Sequence, residues 1–204
     1  MAKKGMVFDL KACIGCNACV IACKQENSLP EGVFFTRTIS YEYGTYPNVK
    51  RSYIPTICNQ CENPPCQKVC PSGATFVRAD GIVMVQGDKC IGCASCAVAC
   101  PYDMRSMVLD SSMKAGLFGG GEITPFESQG YTRYIPGTSV KCDFCSQRVD
   151  AGLEPACVAT CPTHARVFGD LDDPNSAPSV MIRERGGRQP LPEKGTKPRV
   201  YYVD

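Results

Sequence analysis

The stretch CIGCNACVIAC, residues 13–23, places four cysteines within eleven residues, and CIGCASCAVAC, residues 90–100, nearly repeats it. Both copies have the spacing C-x-x-C-x-x-C-x-x-x-C, so a thiol recurs every third residue and a fourth thiol follows about one helical turn later. Thiols this close together in a short loop can converge on one small group. We therefore expect the fold to depend on what the cysteines hold.

All sixteen cysteines of the 204-residue chain fall into four groups of four. The second and fourth groups, CNQCENPPCQKVCP and CDFCSQRVDAGLEPACVATCP, have a longer gap before the third cysteine, and both end in C-x-x-x-C-P. Prolines before the third cysteine stiffen these longer loops. The groups are Cys13, Cys16, Cys19 and Cys23; Cys58, Cys61, Cys66 and Cys70; Cys90, Cys93, Cys96 and Cys100; and Cys142, Cys145, Cys157 and Cys161.

Three chemistries could use these cysteines: disulfide bonds, zinc and iron–sulfur clusters. Disulfides suit secreted scaffolds, but we expect no secretion signal before Cys13, and neighbouring thiols would crowd any pairing scheme. Zinc prefers two separated C-x-x-C knuckles, which only the fourth group resembles. The run with Pro101 after Cys100 is the bacterial ferredoxin spacing, so four complete groups predict four [4Fe-4S] clusters and about sixteen irons per chain. A zinc-binding interaction protein is the alternative from another class.

In a ferredoxin run the fourth cysteine points away and binds the neighbouring cluster, so clusters occur in pairs. Spacing alone does not establish which groups pair. Gly15 and Gly92, each between the first two cysteines of a group, suit backbone angles that turn amide groups toward cluster sulfur, or a plain tight turn.

Composition limits the partners of the chain. Lys and Arg (22) nearly balance Asp and Glu (20), and these charges are scattered, so a nucleic-acid partner is not expected. No stretch approaches the roughly 18 apolar residues that span a bilayer. We expect any membrane association to come through a partner.

Two hairpins are predicted between the cysteine groups. ATFV and IVMV flank Asp80-Gly81, and residues 24–57 contain an alternating, tyrosine-rich segment.

We predict an α+β, loop-rich fold of two bacterial-ferredoxin-like modules, each with two [4Fe-4S] clusters, short hairpins and short helices. The predicted division is 1–53, the first group plus a hairpin; 54–109, a contiguous two-cluster module; 110–141, an inserted loop with GLFGGGEITP; 142–170, the fourth group, which completes the second module with 1–30; and 171–204, an extended C-terminal tail.

The motifs CNQCENPPCQKVCPSGA, CIGCASCAVACPYDMR and CVATCPTHARVFGDLDDPNS carry a resemblance over most of the chain, including LPEKGTKPRVYYVD at its end. The chain resembles the four-cluster ferredoxin-like subunits of the dimethyl sulfoxide reductase family, which serve molybdenum or tungsten bis-pterin enzymes such as polysulfide, thiosulfate, tetrathionate and arsenate reductases. The resemblance implies a non-catalytic subunit that relays electrons between a quinone-reactive membrane anchor subunit and the molybdopterin catalytic subunit during anaerobic respiration.

The resemblance further implies a location and a set of ligands. The complex would lie at the extracytoplasmic face through co-export with the catalytic subunit, with the cytoplasmic face as the alternative; a free polyferredoxin is the alternative within the same chemistry. The implied ligands are Cys13, Cys16, Cys19 and Cys161 for cluster 1; Cys23, Cys142, Cys145 and Cys157 for cluster 2; Cys58, Cys61, Cys66 and Cys100 for cluster 3; and Cys70, Cys90, Cys93 and Cys96 for cluster 4.

Several charged residues stand beside the ligands. Cys23 is followed by Lys24 where the other groups continue with Pro, and we expect Lys24 to be solvated. His164 is the only histidine, and we expect it near the cluster shell as a packing or hydrogen-bonding residue rather than a ligand. Candidate tuning charges, each more often a surface charge, are Lys24, Lys68, Lys141, Arg105 and Arg166.

Overall fold

The computed structural model of the chain describes residues 3–114 and 121–204, and short helices alternate there with short strands. The strands are β1 (Lys4–Asp9), β2 (Thr36–Thr45), β3 (Asn48–Ile57), β4 (Thr75–Val77), β5 (Val83–Val85), β6 (Ser106–Met107), β7 (Ser139–Val140), β8 (Arg166–Asp170) and β9 (Val200–Val203). The α-helices are α1 (Ala18–Glu26), α2 (Pro65–Lys68), α3 (Ser95–Val98), α4 (Pro125–Tyr131), α5 (Ser146–Asp150), α6 (Ala156–Ala159) and α7 (Ala177–Arg185). This mixture agrees with the predicted α+β class.

Both predicted hairpins are present. β4 pairs with β5 in antiparallel register, and the turn between them contains Gly81 at a φ of 80°. β2 pairs with β3 from Thr36 opposite Ile57 to Thr45 opposite Asn48, which makes a long two-stranded ribbon. Local alternation and turn residues were sufficient to predict both.

A three-stranded sheet in the order β8-β1-β9 joins distant parts of the chain. β1 runs antiparallel to β8, which follows the fourth cysteine group, and parallel to β9 near the C-terminus. Met6 and Phe8 of β1 are fully buried, as is Val200 of β9. The sheet therefore ties the first group to the fourth.

The C-terminal segment differs from the predicted extended tail, because it contains α7 and β9. Ser176 begins α7 by accepting a hydrogen bond from the Ser179 backbone, and Gly186 ends the helix at a φ of 62°. Val200 and Val203 of β9 are buried against β1. The proline and charge content of the C-terminal segment concealed the signals for this helix and strand.

The short helices bring cysteine groups together in twos. α1 of the first group packs against α6 of the fourth group, and α2 of the second packs against α3 of the third. Thiols form part of the core, where Cys19, Cys23, Cys142 and Cys157 lie among aliphatic and aromatic side chains. Residues 115–120 of the predicted inserted loop lie outside the described residues, and none of the helices in the described ranges is long and apolar enough to cross a membrane.

Candidate metal centres

Two enclosed cavities are each lined by four thiols. Although the chain segments that supply them are far apart in sequence, each set corresponds to one implied ligand set. Cys23, Cys142, Cys145 and Cys157 line the first cavity. Cys58, Cys61, Cys66 and Cys100 line the second. The structure thus brings together the residues expected for clusters 2 and 3.

Seven of the eight remaining thiols, all but Cys16, are related by electrostatic interactions or by hydrogen bonds to a shared residue. The thiol of Cys13 interacts with those of Cys19 and Cys161, and the thiol of Cys93 interacts with that of Cys70. Ser139 links the other two thiols of this last set, because its backbone N–H donates to Cys90 Sγ at 3.4 Å and its hydroxyl accepts from Cys96 Sγ at 3.3 Å. Within residues 3–114 and 121–204 no group is tight enough for a single metal ion. The four thiolates around a four-iron cubane lie farther apart than the ligands of a single metal ion. The absence of a single-ion site is therefore compatible with thiols grouped in fours.

The third residue of the first C-x-x-C turn in each of the four groups has a left-handed backbone. Gly15 and Gly92, where the sequence predicted such angles, have φ of 71° and 72°. Gln60 and Phe144 occupy the equivalent positions with φ of 44° and 58°. Sequence reasoning missed these two because they are not glycine, although their position relative to the cysteines carried the signal.

The thiols differ strongly in exposure. Cys142 and Cys157 are buried, whereas Cys16 and Cys93 are exposed. Burial raises the pKa of Cys145 to about 11 and that of Cys142 well above its ordinary value. Without iron these thiols are protonated at neutral pH, so metal binding here must release protons.

Arg105 and Arg166 are buried rather than at the surface, being only 5% and 4% exposed. Arg166 Nη2 donates to Cys19 Sγ and to Thr36 Oγ1, both at 3.0 Å. Arg105 Nη2 donates to Thr75 Oγ1 at 3.2 Å. Of these two candidate tuning charges, Arg166 contacts a cysteine thiol directly, and Arg105 lies beside the cysteine groups.

The expectation that Lys24 is solvated is wrong. Its ammonium group is buried and donates to the carbonyl oxygens of Leu29 at 3.1 Å and Pro30 at 2.9 Å, because the loop after α1 folds back over the side chain. Lys141 is also buried and donates to the carbonyl oxygens of Val83 and, at 2.9 Å, Cys142. Sequence position alone could not reveal these carbonyl partners.

Two other candidates lie at the surface. Lys68 is exposed, as a surface charge would be. His164 is exposed as well, with a φ of 50°, and its backbone N–H donates to the Cys161 carbonyl at 3.2 Å. His164 thus lies three residues after a predicted ligand but is exposed rather than packed, because a left-handed turn follows Cys161.

The donor groups fit iron–sulfur clusters. Every predicted ligand is a thiol, the donor type that binds iron in such clusters, and the thiols come in fours. Arg105 Nε and Arg166 Nη1 are buried and have no hydrogen-bond acceptor within the described residues, which suits a neighbouring sulfur-rich anion. The fold and the site together define a ferredoxin-like iron–sulfur protein.

Comparison with known proteins agrees with this class. Two family models, each described as a 4Fe-4S dicluster domain, match the chain, one over residues 49–115 and 123–171 and the other over residues 12–74. Two such domains and sixteen cysteines correspond to four [4Fe-4S] clusters. The zinc-binding alternative is not supported.

Curated relatives match over nearly the whole chain. A putative dimethyl sulfoxide reductase iron-sulfur subunit of Halobacterium salinarum is 43% identical over 217 aligned positions, which cover 100% of this chain and 80% of the relative. An arsenate respiratory reductase iron-sulfur subunit of Shewanella sp. is 41% identical, covering 98% and 95%. A tetrathionate reductase subunit of Salmonella typhimurium is 39% identical, covering 97% and 71%. The chain belongs to the ferredoxin-like iron–sulfur subunits of the dimethyl sulfoxide reductase family.

Proposed function

We propose that the chain relays electrons between a quinone-reactive membrane anchor subunit and a molybdenum or tungsten bis-pterin catalytic subunit of an anaerobic respiratory oxidoreductase. The carrying observation is that the two cavities are each lined by four thiols from separate groups. A cluster with four protein thiolates accepts and releases one electron but has no free iron for a substrate. The chain therefore has no catalytic residue of its own.

The proposed ligand sets are those implied by the family resemblance. The two cavities support the sets for clusters 2 and 3. The electrostatic interaction of Cys13 with Cys161 supports the set for cluster 1, and that of Cys93 with Cys70 supports the set for cluster 4. The packing of α1 on α6 supports a module built from residues 1–30 and 142–170, beside the module at 54–109.

Electrostatic interactions between sets, together with the packing of α2 on α3 between clusters 3 and 4, support a linear order from cluster 1 to cluster 4. The thiol of Cys157 interacts with that of Cys19, which relates clusters 2 and 1. The thiol of Cys142 interacts with that of Cys58, which relates clusters 2 and 3 across the two modules. Electron tunnelling weakens steeply with distance, so closely spaced neighbours favour transfer along this row.

Exposed ligands at the two ends of the row support two docking surfaces. Cys16 of cluster 1 is exposed, as is Ile14, two positions before it in the same turn. Cys93 of cluster 4 is exposed near Ile91 and Val98, which are 67% and 88% exposed. Apolar side chains around an exposed ligand suit a partner that must bring its own redox centre close.

We place the complex at the extracytoplasmic face of the membrane, reached by co-export with the catalytic subunit.

The test is anaerobic purification of the native complex. We expect a brown protein with about sixteen irons per chain that co-purifies with a large pterin subunit and a membrane subunit. A colourless, iron-free chain would contradict the proposal, and an iron-loaded chain without a large subunit would favour a free polyferredoxin. Protease protection in intact cells and in spheroplasts distinguishes the two membrane faces.

Pairing is tested by matched substitutions. If Cys161 shares cluster 1 with Cys13, the Cys161→Ser and Cys13→Ser proteins lose the same electron paramagnetic resonance (EPR) signal. Cys157→Ser, four positions away from Cys161, should affect a different signal. Loss of different signals in the first two variants would contradict the assignment.

A further inference from the structure

Two buried arginines occupy equivalent positions in the cysteine pattern. Arg105 follows Cys100 by five residues, and Arg166 follows Cys161 by five residues. In both loops a proline follows the cysteine, and the residue three positions after the cysteine has a positive φ, 52° in one loop and 50° in the other. The same local conformation therefore directs both guanidinium groups inward.

A buried threonine at the start of a strand holds each guanidinium in place. Thr36 is the first residue of β2 and accepts from Arg166 Nη2 at 3.0 Å. Thr75 is the first residue of β4 and accepts from Arg105 Nη2 at 3.2 Å. Both strands follow the first cysteine group of their pair, so the two halves of the chain repeat this contact.

Each guanidinium also faces thiols that are assigned to two different clusters. Arg166 donates to Cys19 Sγ at 3.0 Å and interacts with Cys157, which belong to clusters 1 and 2. Arg105 lines the cavity that contains Cys66, and its Nη1 donates at 3.5 Å to Ser139 Oγ, which also accepts from Cys96 Sγ at 3.3 Å. Cys66 and Cys96 belong to clusters 3 and 4. Each arginine thus lies between the two clusters of one pair.

No carboxylate in the described residues forms an ion pair with either arginine. A buried charge is costly unless an opposite charge and hydrogen-bond acceptors surround it. Arg105 Nε and Arg166 Nη1 are buried without an acceptor from the described chain. Thiolate-ligated clusters are negatively charged and offer sulfur acceptors, and a planar group with five donors can face two of them at once.

We propose that Arg105 and Arg166 are cluster-bridging arginines, each of which raises the reduction potential of both clusters in its pair. A cluster gains one negative charge when it accepts an electron, so a fixed cation beside it favours the reduced state. The cation also screens repulsion between two reduced neighbours, which eases passage of successive electrons. The inference rests on the ligand assignment of the proposed function.

The experiment is an EPR-monitored redox titration of the anaerobic complex. Arg166→Gln should lower the potentials of clusters 1 and 2 and spare clusters 3 and 4, and Arg105→Gln should do the reverse. We expect about a tenfold change in the reduced-to-oxidised ratio at a fixed poise, which is about 59 mV for one electron. Arg166→Lys and Arg105→Lys should restore much of each shift. Lys68→Gln removes an exposed charge near ligands and should shift no potential.

Unchanged potentials in both Gln variants, or equal shifts in all four clusters, would overturn the proposal. If the Gln variants do not assemble, Thr36→Val and Thr75→Val retain the charge of each arginine and remove the hydroxyl that anchors it. A change in potential confined to that pair of clusters then supports the proposal, and the absence of any change overturns it. Iron content distinguishes failure of this proposal from failure of the proposed function. If the wild-type complex contains four clusters and the variants have unaltered potentials, only the role of the arginines is refuted.

Discussion

The side chain of Gln60 is hydrogen-bonded to the main chain of Cys142, which lies 82 positions later in the sequence. Gln60 Nε2 donates to the Cys142 carbonyl oxygen at 2.6 Å. Gln60 Oε1 accepts from the Val83 N–H at 2.8 Å, and the whole residue is buried. Because Gln60 lies in the ligand loop of proposed cluster 3 and Cys142 is a proposed ligand of cluster 2, this side chain fixes the junction between the two proposed modules.

Replacing Gln60 should loosen this junction. Gln60→Ala removes both hydrogen bonds and leaves the Val83 N–H buried without an acceptor, a loss of about 1–3 kcal/mol. We expect visible cluster absorbance to be lost at a temperature several degrees lower on anaerobic heating. The matched control is Gln67→Ala, since Gln67 is exposed on α2. Equal behaviour of the two variants would show that Gln60 contributes nothing to the junction.

Two glycines with nearly equal φ separate backbone strain from steric contact. Gly92 and Gly152 have φ of 72° and 75°, so an alanine at either position costs about 1–2 kcal/mol for a left-handed backbone. A Cβ on Gly92 would lie 2.5 Å from the Gly137 carbonyl oxygen, whereas a Cβ on Gly152 meets nothing within 4 Å.

Gly92→Ala should therefore displace the loop that carries Cys90 and Cys93, and remove from the protein about four of its sixteen irons. Gly152→Ala should keep them all. Iron and sulfide analysis of the two purified proteins measures the difference. A full iron content in Gly92→Ala would mean that the Gly137 loop yields without disturbing the ligands.

Local features of this chain could be predicted from the sequence pattern. Contacts between distant segments could not, apart from the ligand sets that the family resemblance implied. Both hairpins and the positive φ of Gly15 and Gly92 follow from alternation, turn residues and cysteine spacing, which neighbouring residues fix. The burial of Arg166 depends on Cys19, 147 positions away, and that of Lys141 depends on the Val83 carbonyl. A charge beside a ligand has no local property that shows whether such partners will surround it.

An ion pair between β1 and α7 predicts a pH dependence of stability. Arg185 Nη2 donates to Asp9 Oδ1 at 2.9 Å, and this bond, opposed by partial burial, holds the pKa of Asp9 below its ordinary value. The carboxylate therefore stabilises the fold fully above the unfolded pKa of about 3.9, and this contribution is lost as pH falls through the lower folded pKa.

Asp9→Asn should accordingly lower the unfolding temperature at pH 7, and its difference from the wild type should narrow below about pH 4. Circular dichroism melts across this range measure it. Asp172→Asn, which removes an exposed carboxylate outside β1, is the control and should change little at any pH. A difference between Asp9→Asn and wild type that is independent of pH would show that the ion pair is not its source.

Removing the iron should unfold most of the chain. The thiols of proposed cluster 2 come from Cys23 and from residues 142–157, more than a hundred positions later, and they form part of the core itself. Without a cluster, several buried thiols lose the group that joins their segments, so binding and folding are coupled. We expect chelated protein to lose its far-ultraviolet circular dichroism and its NMR dispersion, and anaerobic reconstitution with iron and sulfide to restore both. A well-dispersed spectrum of the iron-free chain would mean that the β8-β1-β9 sheet holds the fold without clusters.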